Sequence, residues 1–240
     1  MPAAVVLLSG GLDSTTVCAI AASQGRTIHA LTLDYNQRHK GELDAARRAA
    51  RFFDVKEHLI FPIRLDLFGG SSLTDPTIPV ETSVPLEKIG QAIPTSYVPA
   101  RNTIFLSLAL AMAETRGASE IWLGVNSVDY SGYPDCRPEF IGAFERLARL
   151  ATKMGVEGEG IRVVTPLMSM SKGQIIRAGL SLGVDYSQTL TCYSPNALGE
   201  ACGKCESCRL RLAGFREAGV PDPAAYAAGA RQQTKTRNNR

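Results

Sequence analysis

No stretch of the 240-residue sequence is long and apolar enough to suggest a membrane span. The longest run, Ile104 to Ala113, falls well short of the roughly 20 residues a bilayer helix needs. Met1 to Leu8 lacks both the basic segment and the length of a secretory signal. Charge of one sign is lacking too. The 26 Lys and Arg exceed the 23 Asp and Glu, but Arg231, Lys235, Arg237 and Arg240 lie in the last ten residues, so the rest of the chain is near neutral. That balance argues against a broad nucleic-acid face. No internal repeat is visible. These absences lead us to expect a cytoplasmic protein with no membrane and no direct nucleic-acid partner. At 45% hydrophobic residues the chain can bury one substantial core. The tail from Gln232 holds no apolar residue to bury.

What is present alternates in a regular way. Apolar, β-branched runs at Ala4 to Leu8, Ile28 to Leu33, Glu57 to Phe61, Ile121 to Val125 and Ile161 to Val164 are separated by helical patterns such as Leu43 to Phe53 and Asn102 to Thr115. Alternation of this kind predicts a Rossmann-like α/β fold, a parallel sheet with helices on both faces. The segment from Pro62 to Pro99 breaks the rhythm with six prolines and many Ser and Thr, and reads as a long loop or lid near a ligand. We expect an α/β domain over 1–185, a small metal-binding helical region over 186–222 and a flexible tail over 223–240.

Behind the first run stands Ser9-Gly10-Gly11-Leu12-Asp13-Ser14, followed by Thr15 and a helical pattern. A strand that breaks into glycines and restarts as a helix presents backbone N–H groups and a positive helix end to an anion. Gly10 and Gly11 are expected to supply positive φ and a close phosphate approach. Ser9, Ser14 and Thr15 add hydroxyls. Neither the Walker spacing nor the dinucleotide Gly-x-Gly-x-x-Gly spacing is present. The loop resembles instead the PP-loop of the ATP pyrophosphatase superfamily, which implies cleavage of ATP between its α and β phosphates.

Four of the six cysteines form Cys192-x9-Cys202-x2-Cys205-x2-Cys208. Such spacing can place four sulfurs around one ion, with tetrahedral structural zinc as the first expectation and an iron–sulfur cluster as its competitor. Cys18 lies inside the first helical pattern and reads as core; Cys136 reads as a packed thiol.

Three further clusters fall where strands end, the rim on which open parallel sheets bind ligands. They are Asp34 to His39, Val98 to Asn102 and Gly124 to Phe140. Together with the glycine loop and the four cysteines, the runs Tyr35 to His39, Val98 to Asn102 and Gly124-Val-Asn-Ser-Val-Asp-Tyr-Ser-Gly-Tyr-Pro-Asp-Cys-Arg-Pro-Glu-Phe140 resemble the QueC family of 7-cyano-7-deazaguanine synthases, from about residue 3 to 220. Asn36 and Ala100 stand where the family pattern has glycine. Asn tolerates left-handed backbone, whereas Ala100 is expected at an ordinary φ.

The resemblance implies ATP-dependent conversion of 7-carboxy-7-deazaguanine and ammonia to the nitrile, through adenylated carboxylate and amide, on the route to queuosine. It also implies a homodimer. On this reading Leu8, Ser9, Gly10, Gly11, Leu12, Asp13, Ser14 and Thr15 hold the nucleotide, with Asp13 a magnesium ligand. Lys172 contacts phosphate. Arg38, His39 and Arg101 neutralise charge at the α-phosphate or substrate carboxylate. Tyr35, Gln37, Asn102, Asp129, Tyr130, Tyr133, Asp135 and Glu139 form the substrate pocket, where a carboxylate faces the guanine-like N–H groups and an aromatic ring stacks. No glutaminase segment is visible, so ammonia comes free or from a partner. A PP-loop enzyme that thiolates tRNA and a non-enzymatic zinc-ribbon module are the alternatives.

Overall fold

The computed structural model describes residues 1–127, 132–158 and 160–230. Its five strands are all parallel: β1 (Ala3–Leu7), β2 (Thr27–Asp34), β3 (Glu57–Pro62), β4 (Glu120–Trp122) and β5 (Arg162–Val164), in the order β3-β2-β1-β4-β5. The five expected runs all became strands, though the fourth ends early, at Trp122, so that Leu123 to Asn126 can turn toward the rim.

Period-2 alternation sends neighbouring residues of β1 to opposite layers. Val5 and Leu7 join Leu31 and Leu33 against α3 (Arg101–Arg116) and α4 (Pro138–Ala151). Ala4, Val6 and Leu8 join Ile28 and Ala30 against α1 (Leu12–Ser23), α2 (Gly41–Phe52) and α6 (Lys172–Ser181). The short α5 (Lys153–Val156) precedes β5, and α7 (Glu206–Ala218) packs on α6 with Phe215 in the core. The chain runs outward from β1 in both directions, to β2 on one side and β4 on the other. That reversal opens a crevice at the carboxyl ends of the strands.

The stretch between β3 and α3 contains only two short 3₁₀ turns, Leu65–Phe68 and Leu86–Lys88. Side-chain and backbone bonds tie it down. Arg38 donates through Nη1 to the Ser72 carbonyl at 3.2 Å, and Ser83 N–H donates to the Lys204 carbonyl at 2.9 Å. Leu73 from this loop reaches the crevice wall.

Asn36 sits at φ 59°, in the left-handed region it tolerates. Ala100 does not keep an ordinary φ: it too is left-handed, at φ 54° and ψ 21°. The reversal into α3 forces it. Arg101 N–H donates back to the Val98 carbonyl at 3.1 Å while Asn102 N–H reaches the Asp135 carboxylate at 3.0 Å. A Cβ in that conformation costs about 1 kcal/mol. Ala100→Gly is therefore expected to raise stability by about 1 kcal/mol, or about 2–4 °C in Tm, in thermal melts. A lower Tm for the variant contradicts the strain.

Candidate active site

The crevice is walled by three strand ends. Leu7 ends β1 and Leu8 follows it, Leu31 to Leu33 belong to β2, and Leu123 to Asn126 follow β4. Ser9, Gly11, Leu12, Asp13 and Ser14 form its floor. Helix α1 starts here with Gly11 as its N-cap and no side chain capping it, so its first N–H groups and positive end face the cavity. Ser9 and Ser14 hold the loop closed through a 2.9 Å hydroxyl pair, and Gly11 N–H donates to Ser9 Oγ at 3.4 Å.

Three expectations for this loop change. Gly10 has the positive φ, 78°, but its missing side chain makes room for α2, not for phosphate: a Cβ would stand 2.3 Å from Ala46 N. Gly11 has φ −77° and an added Cβ would meet only ordinary contacts, the nearest Ser9 Oγ at 3.4 Å. Thr15 lies on another face of α1, where it lines a second cavity with Phe52, Phe53 and Thr189, and its buried Oγ1 has no hydrogen-bond partner among the described residues. One residue is about 100° of helix, enough to part Thr15 from Ser14.

Asp13 is held by Lys172. The ammonium donates to both carboxylate oxygens, at 2.8 and 2.9 Å. Lys172 is buried rather than a surface lysine, at 5% exposure, and reaches the cavity through Asp13. Its place is set by a capping box, in which Ser171 and Gln174 close the first turn of α6.

Arg38, His39, Tyr35, Gln37, Arg101, Asn102 and Tyr133 all line the cavity. Gln37 is buried and accepts Tyr35 N–H at 3.0 Å. Burial, with Arg38 beside it, pushes the His39 imidazole below its usual range and keeps it neutral. Arg101 stands among Tyr35, Tyr133, Tyr193 and Asp135, whose negative charge or potential keeps its guanidinium charged against burial. Burial pushes the Tyr35 hydroxyl up to about 12, opposed by the positive charge of Arg101. The result is a fixed cation beside neutral donors, a seat for a carboxylate or phosphate.

The base-binding cluster does not assemble as expected. Asp135 is buried behind the wall, where its carboxylate accepts Asn102 N–H and its carbonyl accepts Asn102 Nδ2 at 3.0 Å; it braces the start of α3. Glu139 is exposed in the first turn of α4 and lies outside the cavity lining. Asp129 and Tyr130 lie outside the described residues. Cys136 is buried in the cavity wall and packs into the core layer behind it, its thiol pushed up to about 12 by burial. Missed from the sequence were Glu42, Phe105, Thr191 and Tyr193, all on the wall. Only Glu42 left a signal, an acidic residue four positions after Arg38.

Cys192, Cys202, Cys205 and Cys208 converge, with their sulfurs within 4.8 Å of one another. Cys202 and Cys208 Sγ are 4.0 Å apart. Tetrahedral zinc with sulfur at about 2.3 Å wants about 3.8 Å between sulfurs, so the four fit one ion. Backbone N–H groups point at the sulfurs as they do toward thiolates: Ser194 and Cys202 donate to Cys192 Sγ at 3.3 and 3.2 Å, and Cys205 donates to Cys202 Sγ at 3.3 Å. Cys192 also lines the crevice.

The sequence model described as "Queuosine biosynthesis protein QueC" matches residues 3–219. The chain belongs to the QueC family. Among its relatives, a 7-cyano-7-deazaguanine synthase of Ectopseudomonas mendocina is 58% identical over 223 residues, 93% of this chain and 97% of that one. A protein of the same name from Pseudomonas putida strain W619 is 57% identical over the same shares. Likeness to solved structures is distant: the NMN synthetase of Francisella tularensis is 14% identical with a TM-score of 0.47, over 92% of this chain and 78% of that one. Membership in the QueC family thus rests on sequence. Among the described residues no helix is long and apolar enough to cross a membrane.

Proposed function

We propose that this QueC-family chain is an ATP-dependent enzyme that converts 7-carboxy-7-deazaguanine and ammonia to 7-cyano-7-deazaguanine, releasing AMP and pyrophosphate. The observation that carries the reading is the junction of two charge sites in one crevice: an uncapped helix end with serine hydroxyls, and Arg101 among tyrosines. A carboxylate held by Arg101 attacks the α-phosphorus of an ATP whose departing phosphates rest on Ser9, Gly11, Leu12 and Ser14. Ammonia then displaces AMP to give the amide, and a second adenylation on the amide oxygen lets the nitrile form. An AMP ester is what makes a carboxylate or amide carbon open to a weak nucleophile.

Asp13, beside Lys172 on the crevice floor, would hold magnesium, which would screen phosphate charge when bound with ATP. Arg38 and His39 bound the phosphate side of the crevice. Tyr35, Gln37, Asn102 and Tyr133 shape the deazaguanine side. The four cysteines hold structural zinc, since four thiolates leave no open coordination position. The enzyme works in the cytoplasm as the homodimer that the family resemblance implies. A thiolating activity is disfavoured: Cys18 and Cys136, the cysteines outside the cluster, are buried with thiols pushed up to about 12, too basic to carry sulfur as thiolates at neutral pH.

Purified protein with ATP, magnesium, ammonium and 7-carboxy-7-deazaguanine is expected to form nitrile, AMP and pyrophosphate by mass spectrometry. Folded, zinc-loaded protein that forms neither AMP nor nitrile overturns the assignment.

A further inference from the structure

Glu42 stands in the first turn of α2, a helix whose other charged residues, Asp44, Arg47, Arg48 and Arg51, face solvent. Glu42 instead lines the crevice near Arg101 and Tyr35. Its carboxylate accepts no hydrogen bond from the described protein groups, and its electrostatic neighbour is Arg101, which three tyrosines and Asp135 already surround. A carboxylate drawn into a wall without hydrogen bonds costs stability, and such a cost persists where a ligand uses the group. Burial pushes Glu42 up to about 7, with Arg101 opposing. A carboxyl poised there can take a proton at neutral pH and return it to solvent through the crevice.

The geometry points to Glu42 as the catalytic proton acceptor for nitrogen in both amine steps, an inference that rests on the proposed function. Arg101 holds the substrate carboxylate, so the carbon to be attacked lies between Arg101 and the phosphate loop, and nitrogen approaches it past Glu42. In the first step the ammonia lone pair forms the C–N bond, the C–O bond to AMP breaks with its electron pair on AMP, and one N–H proton passes to Glu42. In the second, adenylation on the amide oxygen sheds one N–H proton to water and leaves an imidate that keeps the other; Glu42 takes that last N–H proton as the new C–N π bond forms and AMP again leaves with the C–O pair. Between steps the proton goes to water.

Glu42→Gln in full-length, zinc-loaded protein is the test. Glutamine keeps the shape and removes the uncompensated charge, so its Tm is expected to match the parent or exceed it. ATP–pyrophosphate exchange driven by 7-carboxy-7-deazaguanine without ammonium needs no proton acceptor, and is expected within about 3-fold of the parent. Nitrile formation is expected to lose about 100-fold or more in kcat/KM for ammonium. With neutral ammonia held constant, the parent rate should rise as pH passes through about 7, where Glu42 becomes a base; that limb should vanish in Glu42→Gln and partly return in Glu42→Asp. Three results overturn the inference: an ammonium kcat/KM within about 10-fold of the parent, an unchanged pH limb, or a loss shared equally by exchange and by the KM for the deazaguanine, which marks a base-reading residue. A parent enzyme that makes AMP but no nitrile overturns the functional reading, and the inference with it; one that makes nitrile while Glu42→Gln behaves as the parent overturns the inference alone.

Discussion

Lys172→Met is expected to lower ATP–pyrophosphate exchange by about 100- to 1,000-fold, the loss seen when one preorganised charge donor is removed from a transition state. The ammonium is buried and grips both oxygens of Asp13, so its loss leaves a carboxylate facing the phosphates with nothing to balance it. Repulsion then acts where negative charge moves during adenylation. The pair also spans the fold, joining the first turn of α1 to the first turn of α6, so some stability goes with it. Asp13 keeps contact with the crevice water, at 18% side-chain exposure, which puts the cost at the low end of the ~3–5 kcal/mol for a broken buried pair. Asp13→Asn with Lys172→Met separates the two effects: the double variant should recover most of the stability and none of the exchange. Exchange within about 10-fold of the parent in Lys172→Met would show that the lysine serves the fold alone.

The second large effect concerns the metal. Removal of the ion by chelation, or Cys208→Ser, is expected to cost several kcal/mol, about 10 °C in Tm for a chain of this length. Four thiols left together without an ion repel as thiolates or lose their N–H···S partners as thiols. The damage should not stay local. Ser207 Oγ donates to the Thr191 carbonyl at 2.7 Å, and Leu190 N–H donates to the Gly10 carbonyl at 3.1 Å, so the segment leading to Cys192 is a wall of the crevice and a brace for the phosphate loop. The long loop after β3 is held from the same side, through the Thr82–Cys205 bridge. ATP affinity and Tm should therefore fall together on chelation and return together with zinc. Metal analysis and the absorption spectrum decide between zinc, which is colourless, and an iron–sulfur cluster, which is not. Metal-free protein that melts with the parent and binds ATP normally contradicts the bracing role.

Local chemistry made much of the fold legible. Strands were readable because β1 and β2 are apolar and β-branched on both faces, as a strand between two helix layers must be. The phosphate loop and the cysteine set were readable because each is a short run whose spacing has one strong physical use. Errors arose where a side chain's direction mattered. Ser14 and Thr15 are adjacent in the chain and face different cavities. Tyr133, Asp135 and Glu139 share one stretch, yet only Tyr133 lines the crevice, since a 3₁₀ turn and then a helix rotate the others away.

The sequence by itself determined a parallel α/β sheet, an anion loop after its first strand, a four-thiol metal set and the family. Periodicity and spacing are properties of neighbours, and neighbours suffice for these. Tertiary structure alone decided that Lys172 meets Asp13 across 159 positions, that Ala100 is forced into left-handed backbone, and that Glu42 turns inward to Arg101. Each depends on how whole helices come to rest on the sheet, where burial and charge are set by residues far away in the chain.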